Sequence, residues 1–367
     1  MEYLIPVVLA AIGGYYNKRF PTKIKVIYIL VIWIYIFVML GFRYKVGVDT
    51  LSYMYSFRHI KDISDLSLSD ITEQRYEPGY LLLCSVCKTL FRDFWVFQML
   101  MAAITNGCIF IFLRRYCNNI FIGLLVFFVM QWLYFSTEIM RESVAIAIFL
   151  LNYRNIENKR WLRYYLFSLL SISFHYSAII ICVFPLVRYL RLNLIYIIGC
   201  IAILFSLPIF DFMVEILPFK SITMRIDQYI RMRETFNMNW IIGELIKSIA
   251  PPLTALIIYR VAKLKLREEP MILLQIIFCI GFFSIPIIFS RFTNYTSMFV
   301  TVALANLISN TSLRNWVKAT VIGIILVSQT PYYISMYRTW FPYVSIFNPK
   351  TLPDRENRWK NEFLKSY

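Results

Sequence analysis

Long, almost uninterrupted apolar runs are the feature of this sequence that most constrains its fold. Residues 24–40 and 192–210 are apolar nearly throughout, and a helix needs about 20 such residues to cross a lipid bilayer. Outer-membrane β-barrels show short segments of alternating polarity instead. Charged residues make up only 16% of the 367-residue chain, against about 25% in a soluble domain. The sequence therefore predicts an all-α, polytopic integral membrane protein.

The apolar runs predict one transmembrane domain over residues 1–367, without internal repeats and with about 12 to 14 membrane helices. Two long polar loops, at about 42–78 and 211–239, interrupt the runs. The predicted apolar segments are residues 3–16, 24–41, 79–91, 94–113, 119–135, 139–151, 161–174, 177–190, 194–210, 240–259, 270–289, 292–309 and 319–335.

Lysine and arginine predict the side of each loop, because short cytoplasmic loops carry an excess of them. The net charge of +17 is concentrated between apolar runs, which indicates topology rather than binding of nucleic acid. The first long loop balances its basic residues with acidic ones, so we place it outside. Parity then requires that one of the two apolar runs between Phe42 and Arg114 does not cross. Residues 79–91, which are few and contain Lys88, are expected to be re-entrant or interfacial; the alternative is that one of the loops is assigned to the wrong side.

The side of the C-terminal tail stays open at this point. Twelve crossings from an outside N-terminus would place the tail outside, whereas its excess of basic residues favours the inside.

Charged residues that interrupt apolar sequence are the first candidates for function, because a charge at the centre of a membrane helix costs about 2.5–3.5 kcal/mol. Glu138 and Arg141 lie one helical turn apart and either form a local ion pair or leave Arg141 facing a substrate while Glu142 holds the pair. Arg291 is isolated within an apolar stretch, with Tyr295 one turn further along. It either snorkels to the interface or contacts a ligand.

The predicted topology brings Arg141, His175 and Arg291 to the outer side from three separate helical hairpins. His175 follows an apolar run and is either a hydrogen-bonded structural residue or a proton shuttle. In the first long loop, Arg43 and Asp49 flank Gly47, which is free to turn the chain.

Asp49 is either a solvated loop charge or a carboxylate that acts as a base or positions a sugar hydroxyl. Glu77 closes the same loop.

Several kinds of chemistry are not expected from the motifs. The sequence has no Walker-type glycine loop, HExxH, GxSxG or DxD motif, so nucleotide-dependent catalysis, a metal and a cofactor are not predicted. The seven cysteines lie in apolar runs or at their ends, and they imply no disulfide framework.

The charged motifs occur in a recognisable order: RYKVGVDTLSYMY, YEPGY, MRESVAIAIFL, SFHYSAIII and SRFTNY, between residues 43 and 295. In this order the chain resembles the EpsG-like branch of Wzy-type polysaccharide repeat-unit polymerases. The resemblance implies a GT-C-like architecture in the bacterial inner membrane, with the active site facing the periplasm or exterior. It also implies that donor and acceptor are oligosaccharides on polyprenyl diphosphate, with a chain-length-regulating co-polymerase as a further partner.

The resemblance and the residue chemistry together predict a mechanism. Arg141 and Arg291 would stabilise the diphosphate leaving group, and either His175 or Asp49 would accept the proton of the attacking hydroxyl. Because the sequence shows no free carboxylate pair, we expect a single displacement with inversion and without a metal. The remaining candidates, assigned to substrate binding, are Arg43, Glu77, Glu138 and Tyr295.

Two other functions fit the same features. A flippase for lipid-linked oligosaccharide would also need arginines, although its binding groups are expected near the membrane midplane. A membrane O-acyltransferase acting on glycans would also use a histidine.

Overall fold

The computed structural model describes residues 2–67, 76–189 and 238–365, together with the isolated positions 70, 199 and 230. The predicted span 194–210 and nearly all of the second long loop lie outside the described residues. The described α-helices are α1 (Leu4–Tyr16), α2 (Thr22–Gly41), α3 (Val48–His59), α4 (Pro78–Phe91), α5 (Phe94–Tyr116), α6 (Ile120–Met130), α7 (Met140–Glu157), α8 (Trp161–Phe174), α9 (Phe184–Tyr189), α10 (Met238–Val261), α11 (Glu269–Ile280), α12 (Pro286–Ser309), α13 (Asn315–Trp340) and α14 (Pro353–Lys365).

The prediction of an all-α membrane protein is confirmed. Among the described helices, α2, α5, α10 and α13 are long and apolar enough to cross a bilayer, and several shorter helices, such as α1 and α6, are strongly apolar. Large apolar side chains such as Leu4 and Ile27 are exposed, as expected of surfaces that face lipid. The total number of crossings stays a prediction.

Local sequence sets several helix boundaries. Asp93 caps α5 by accepting a hydrogen bond from the Trp95 amide at 2.8 Å. Proline occupies the first turn of α4, α11 and α12, where its missing N–H costs nothing.

Aromatic packing between α5, α7 and α12 forms the centre of the core. The ring of Phe299 lies 4.6 Å from that of Tyr153 and 5.4 Å from that of Phe112, centroid to centroid. Phe149 contacts the same ring at 6.0 Å. This cluster fixes α7 and α12, the helices that carry Arg141 and Arg291.

One end of the bundle contains the start of α1 and the ends of α2 and α13. The Tyr3 hydroxyl donates to the Trp340 carbonyl at 2.9 Å, and Arg43 forms an isolated antiparallel bridge with Ser345. The first long loop leaves α2 here, so this end is the outer end of the predicted topology.

The short helix α4 packs against the first long loop. Lys88 Nζ donates to the Arg58 carbonyl at 2.9 Å, and Ser85 Oγ donates to the Lys61 carbonyl at 2.8 Å. The chain then turns at Arg92, which has a left-handed backbone, and enters α5 at the outer end. This packing favours a segment that does not cross the membrane, as parity requires.

The C-terminal tail lies at the same end as the first long loop. The Tyr44 amide donates to the Val344 carbonyl at 2.7 Å. Lys45 pairs with Glu356 at 2.6 Å, and Trp359 Nε1 donates to Ser52 Oγ at 3.0 Å. Helix α14 therefore packs on α3, although the basic charge of the tail favoured the opposite side.

Candidate functional site

A polar cavity of about 260 Å³ lies between α10, α12, α13 and the segment that joins α6 to α7. Carboxylates, amides, hydroxyls and two cations meet there. The lining residues are Asp49, Met130, Gln131, Tyr134, Glu138, Ile139, Trp240, Glu244, Lys247, Ser248, Pro252, Gln275, Ser290, Arg291, Thr293, Asn294, Ser297, Val300, Gln329, Tyr332 and Met336.

Arg291 lies in the second turn of α12 and lines the cavity. Its Nη1 is 2.6 Å from Glu142 Oε2, and Asn294 Nδ2 donates to Glu142 Oε1 at 3.0 Å. The Glu142 side chain is buried, whereas 26% of the Arg291 side chain is exposed. Glu142 thus holds one side of the guanidinium while part of it remains accessible from the cavity.

Asp49 and Glu138 come together at the outer part of the cavity. Glu138 Oε1 accepts hydrogen bonds from Trp340 Nε1 at 2.9 Å and from Thr137 Oγ1 at 3.1 Å, and its Oε2 accepts the Asp49 amide at 3.4 Å. Gly47 immediately precedes α3 and has a φ of 94°, and a Cβ there would lie 2.8 Å from the Thr137 Cβ. Only glycine fits this approach without strain, and the approach brings Asp49 beside Glu138.

This arrangement removes one ground for the predicted stereochemistry. The expectation of inversion rested on the sequence showing no carboxylate pair, yet Asp49 and Glu138 both line the cavity. They are distant in sequence, and only the packing of α3 on the α6–α7 segment joins them.

Glu244 and Lys247 of α10 are site residues that sequence reasoning missed. Lys247 Nζ lies 2.6 Å from Glu244 Oε2, 3.9 Å from the centre of the Tyr332 ring and 5.6 Å from that of Tyr134. The signal was present in the sequence, because both charges interrupt the predicted apolar run 240–259.

Arg141 is held away from the cavity lining. Its Nη1 pairs with Glu77 Oε2, and Glu77 is fully buried. The rings of Tyr53, Tyr76 and Tyr80 surround the guanidinium at 5.0–5.9 Å. The predicted ion pair between Glu138 and Arg141 is therefore wrong, because Arg141 pairs with Glu77 of the first long loop instead. Glu142 forms its ion pair with Arg291 of α12.

His175 caps the helical turn that follows α8. Its Nδ1 lies 2.6 Å from Ser177 Oγ, which in turn is 3.1 Å from the Tyr295 hydroxyl. Both His175 and Tyr295 are buried, and neither lines the cavity. These contacts match the structural alternative for His175.

Arg43 is buried beneath α3. Its guanidinium donates to the Leu40 carbonyl at 2.5 Å and to Thr50 Oγ1 at 3.4 Å. Burial lowers the pKa of Arg43 to about 10, so the group is still cationic at neutral pH. Arg43 lies outside the cavity lining and connects the end of α2 to α3, the helix that carries Asp49.

The structure thus assembles part of the predicted site. Of the eight candidates, Asp49, Glu138 and Arg291 share one cavity. Arg43, Glu77, Arg141, His175 and Tyr295 form the surrounding buried contacts.

The family model of the EpsG family matches residues 26–345. The chain belongs to the EpsG family. The EpsG match begins within α2 and ends beyond α13, so it contains every residue that lines the cavity, and the resemblance of the sequence motifs is confirmed. No curated protein and no solved structure matches this EpsG-family chain.

Proposed function

We propose that this EpsG-family protein is a polymerase that joins oligosaccharide repeat units carried on polyprenyl diphosphate. Glycosyl transfer would take place on the outer face of the bacterial inner membrane and yield O-antigen, capsular polysaccharide or exopolysaccharide. The observation that carries the proposal is a cavity that is lined by Arg291, Asp49 and Glu138 and that reaches the first long loop.

Arg291 would stabilise the leaving group. As the bond between the anomeric carbon and the diphosphate oxygen breaks, negative charge grows on the diphosphate. A guanidinium fixed beside that oxygen lowers the barrier, because it is positioned before the charge develops. The pairing with Glu142 orients the guanidinium, and no metal is needed for this role.

Asp49 would accept the proton of the attacking hydroxyl as the new glycosidic bond forms. Glu138 is less suited to attack the sugar, since its two oxygens accept three hydrogen bonds from Trp340, Thr137 and the Asp49 amide. A single displacement with inversion therefore remains our proposal, now on the basis of how Glu138 is held. Glu138 would orient α3 and hydrogen-bond the substrate.

Arg141 and His175 would act as positioning residues. Arg141 connects α7 to Glu77 in the first long loop, and His175 connects the turn after α8 to Tyr295 of α12 through Ser177. Both contacts would hold α7 and α12 in the register that lets Glu142 meet Arg291. Arg43 would support α3 from below in the same way.

Elongation by the purified protein tests the proposal. Wild-type protein in liposomes should convert lipid-linked repeat units into a ladder of longer glycans without nucleotide sugar, and chelation should not stop it. Asp49→Asn should abolish the ladder while the protein remains folded. A glycosyl-enzyme adduct would contradict the single displacement, and a dependence on an acyl donor would favour the acyltransferase.

One observation favours the flippase as a second candidate. Lys247 is the tenth residue of the 24-residue helix α10, which two prolines interrupt at 251–252. Transporters bind their substrates near the midplane at discontinuous helices. Movement of labelled lipid-linked repeat unit across the liposome bilayer, without elongation, would identify this activity.

A further inference from the structure

A proline pair interrupts the hydrogen bonding of α10 where that helix borders the cavity. The prolines at 251–252 lie within the helix, and proline has no N–H to donate to the carbonyl four residues earlier. The carbonyls of Lys247 and Ser248 therefore lack their usual partners. Gln329 of α13 donates its side-chain amide to the Lys247 carbonyl at 3.2 Å, and Gln275 of α11 donates to the Ser248 carbonyl at 3.5 Å.

The replacement partners are themselves oriented. The Thr296 hydroxyl donates to Gln275 Oε1, which directs the Gln275 amide nitrogen towards α10. Gln275 and Gln329 both line the cavity, as do Lys247 and Ser248. Two neighbouring helices thus support the interrupted turn, as prolines in membrane helices require, and the turn forms a polar wall.

Lys247 is the cation of this wall. Its partner Glu244 lies one turn earlier on the same helix, so the pairing does not fix Lys247 to another element. The face of the Tyr332 ring, 3.9 Å from Nζ, stabilises the ammonium group. The Lys247 side chain is 17% exposed, and a four-carbon stem lets the ammonium turn from Glu244 towards an anion in the cavity.

Lys247 and Arg291 contribute their charges at different depths of the same cavity. Thr296 lies five residues beyond Arg291 in α12 and donates to Gln275, which in turn donates to the carbonyl of Ser248, the neighbour of Lys247 in α10. Lys247 therefore lies near the level of Thr296 rather than that of Arg291. The far end of α12 is fixed at the inner side, where Asn306 Nδ2 donates to the Tyr116 carbonyl at 3.1 Å, so Arg291 lies towards the outer end. One cation above the other fits an anion with two linked charged groups, as a diphosphate has.

We propose that Lys247 is a second cationic ligand, alongside Arg291, for the diphosphate of a polyprenyl diphosphate, and that the proline pair at 251–252 holds it at the cavity wall. The identity of the lipid rests on the proposed function. The position of Lys247 in the cavity wall does not depend on the proposed function, since it follows from the contacts of α10 with α11 and α13.

Binding of farnesyl diphosphate, a sugar-free probe, to the purified full-length protein in detergent tests the proposal. Calorimetry should show that Lys247→Met weakens binding about tenfold or more, whereas Lys247→Arg, which keeps the charge, stays within about threefold of wild type. The Lys247→Met substitution should weaken binding of farnesyl monophosphate less than it weakens binding of farnesyl diphosphate. Lys265→Met, at an exposed lysine between α10 and α11, is the matched control and should bind as wild type does.

The double variant Pro251→Ala/Pro252→Ala examines the proline pair separately. It should restore two helical hydrogen bonds, keep or raise the Tm, and weaken farnesyl diphosphate binding by releasing Gln329 and Gln275. Equal binding by wild type and Lys247→Met, or absence of binding by wild type, would overturn the proposal.

The two proposals can fail separately. Binding that depends on Lys247 without any glycan ladder would reject the polymerase and keep the site. Ladders formed by a protein whose binding of farnesyl diphosphate ignores Lys247 would reject the site and keep the polymerase.

Discussion

Arg291 and Arg141 both pair with buried glutamates, yet only Arg291 lines the cavity. The two arginines therefore differ in what their removal should do. Loss of Arg291 removes a charge from the cavity, whereas loss of Arg141 removes a connection between α7 and the first long loop.

Arg291→Gln should lower elongation about 100-fold or more, as loss of one preorganised donor does. It should also destabilise the protein by about 3 kcal/mol, because it leaves the buried Glu142 carboxylate without its cation. Arg291→Gln/Glu142→Gln should recover much of the Tm and none of the activity. Thermal unfolding and the ladder assay measure the two effects, and recovered elongation in the double variant would refute the role of Arg291.

Arg141→Gln should show the opposite pattern. The single variant leaves Glu77 buried and unpaired, so we expect a lower Tm and weak elongation. Arg141→Gln/Glu77→Gln should recover both, since neither group lines the cavity. If the double variant has the Tm of wild type but still makes no ladder, Arg141 contacts the substrate directly.

The short helix α3 depends on Gly47 for its position beside the α6–α7 segment. Gly47→Ala would force a strained positive φ and a contact with Thr137, moving Asp49 away from Glu138. We expect elongation to fall about tenfold or more and the Tm to fall by several degrees, in line with about 1–3 kcal/mol of strain. Gly323→Ala is the matched control, because no atom lies within 4 Å of the added Cβ. Equal activity of the two variants would show that the placement of Asp49 does not matter.

At the level of elements, the sequence predicts where the apolar helices lie, but it predicts poorly which residues of different helices contact each other. Apolar runs indicate most of the described helices, and the isolation of its charge in apolar sequence indicates Arg291 as a site residue. The pairing of Glu77 with Arg141 spans 64 positions, so no local spacing could have indicated it. The sequence around Lys247 is typical of an ordinary membrane span, and the role of the proline pair depends on side-chain amides from α11 and α13 that no local pattern indicates.

At the scale of the whole molecule, the topology is tested by the side of the membrane on which the C-terminal tail and the first long loop lie. The bridge between Arg43 and Ser345 and the packing of α14 on α3 put the C-terminal tail with the first long loop. In a cysteine-free background, Ser64→Cys and Asn348→Cys should both react with a membrane-impermeant maleimide in intact spheroplasts. Ser312→Cys, in the connection between α12 and α13, should react only after permeabilisation. Protection of Asn348→Cys with labelling of Ser64→Cys would contradict the docking of the tail.

We propose above that lipid-linked repeat units are joined in the cavity that Arg291 and Asp49 line. The most direct measurement is elongation of synthetic polyprenyl diphosphate-linked repeat units by purified protein in liposomes, with wild type beside Arg291→Gln/Glu142→Gln, Asp49→Asn and Gly323→Ala. We expect ladders from wild type and Gly323→Ala and none from the other two variants, with a similar Tm for all four proteins. Ladders of wild-type length from either cavity variant, or transbilayer movement of substrate without elongation by wild type, would contradict it.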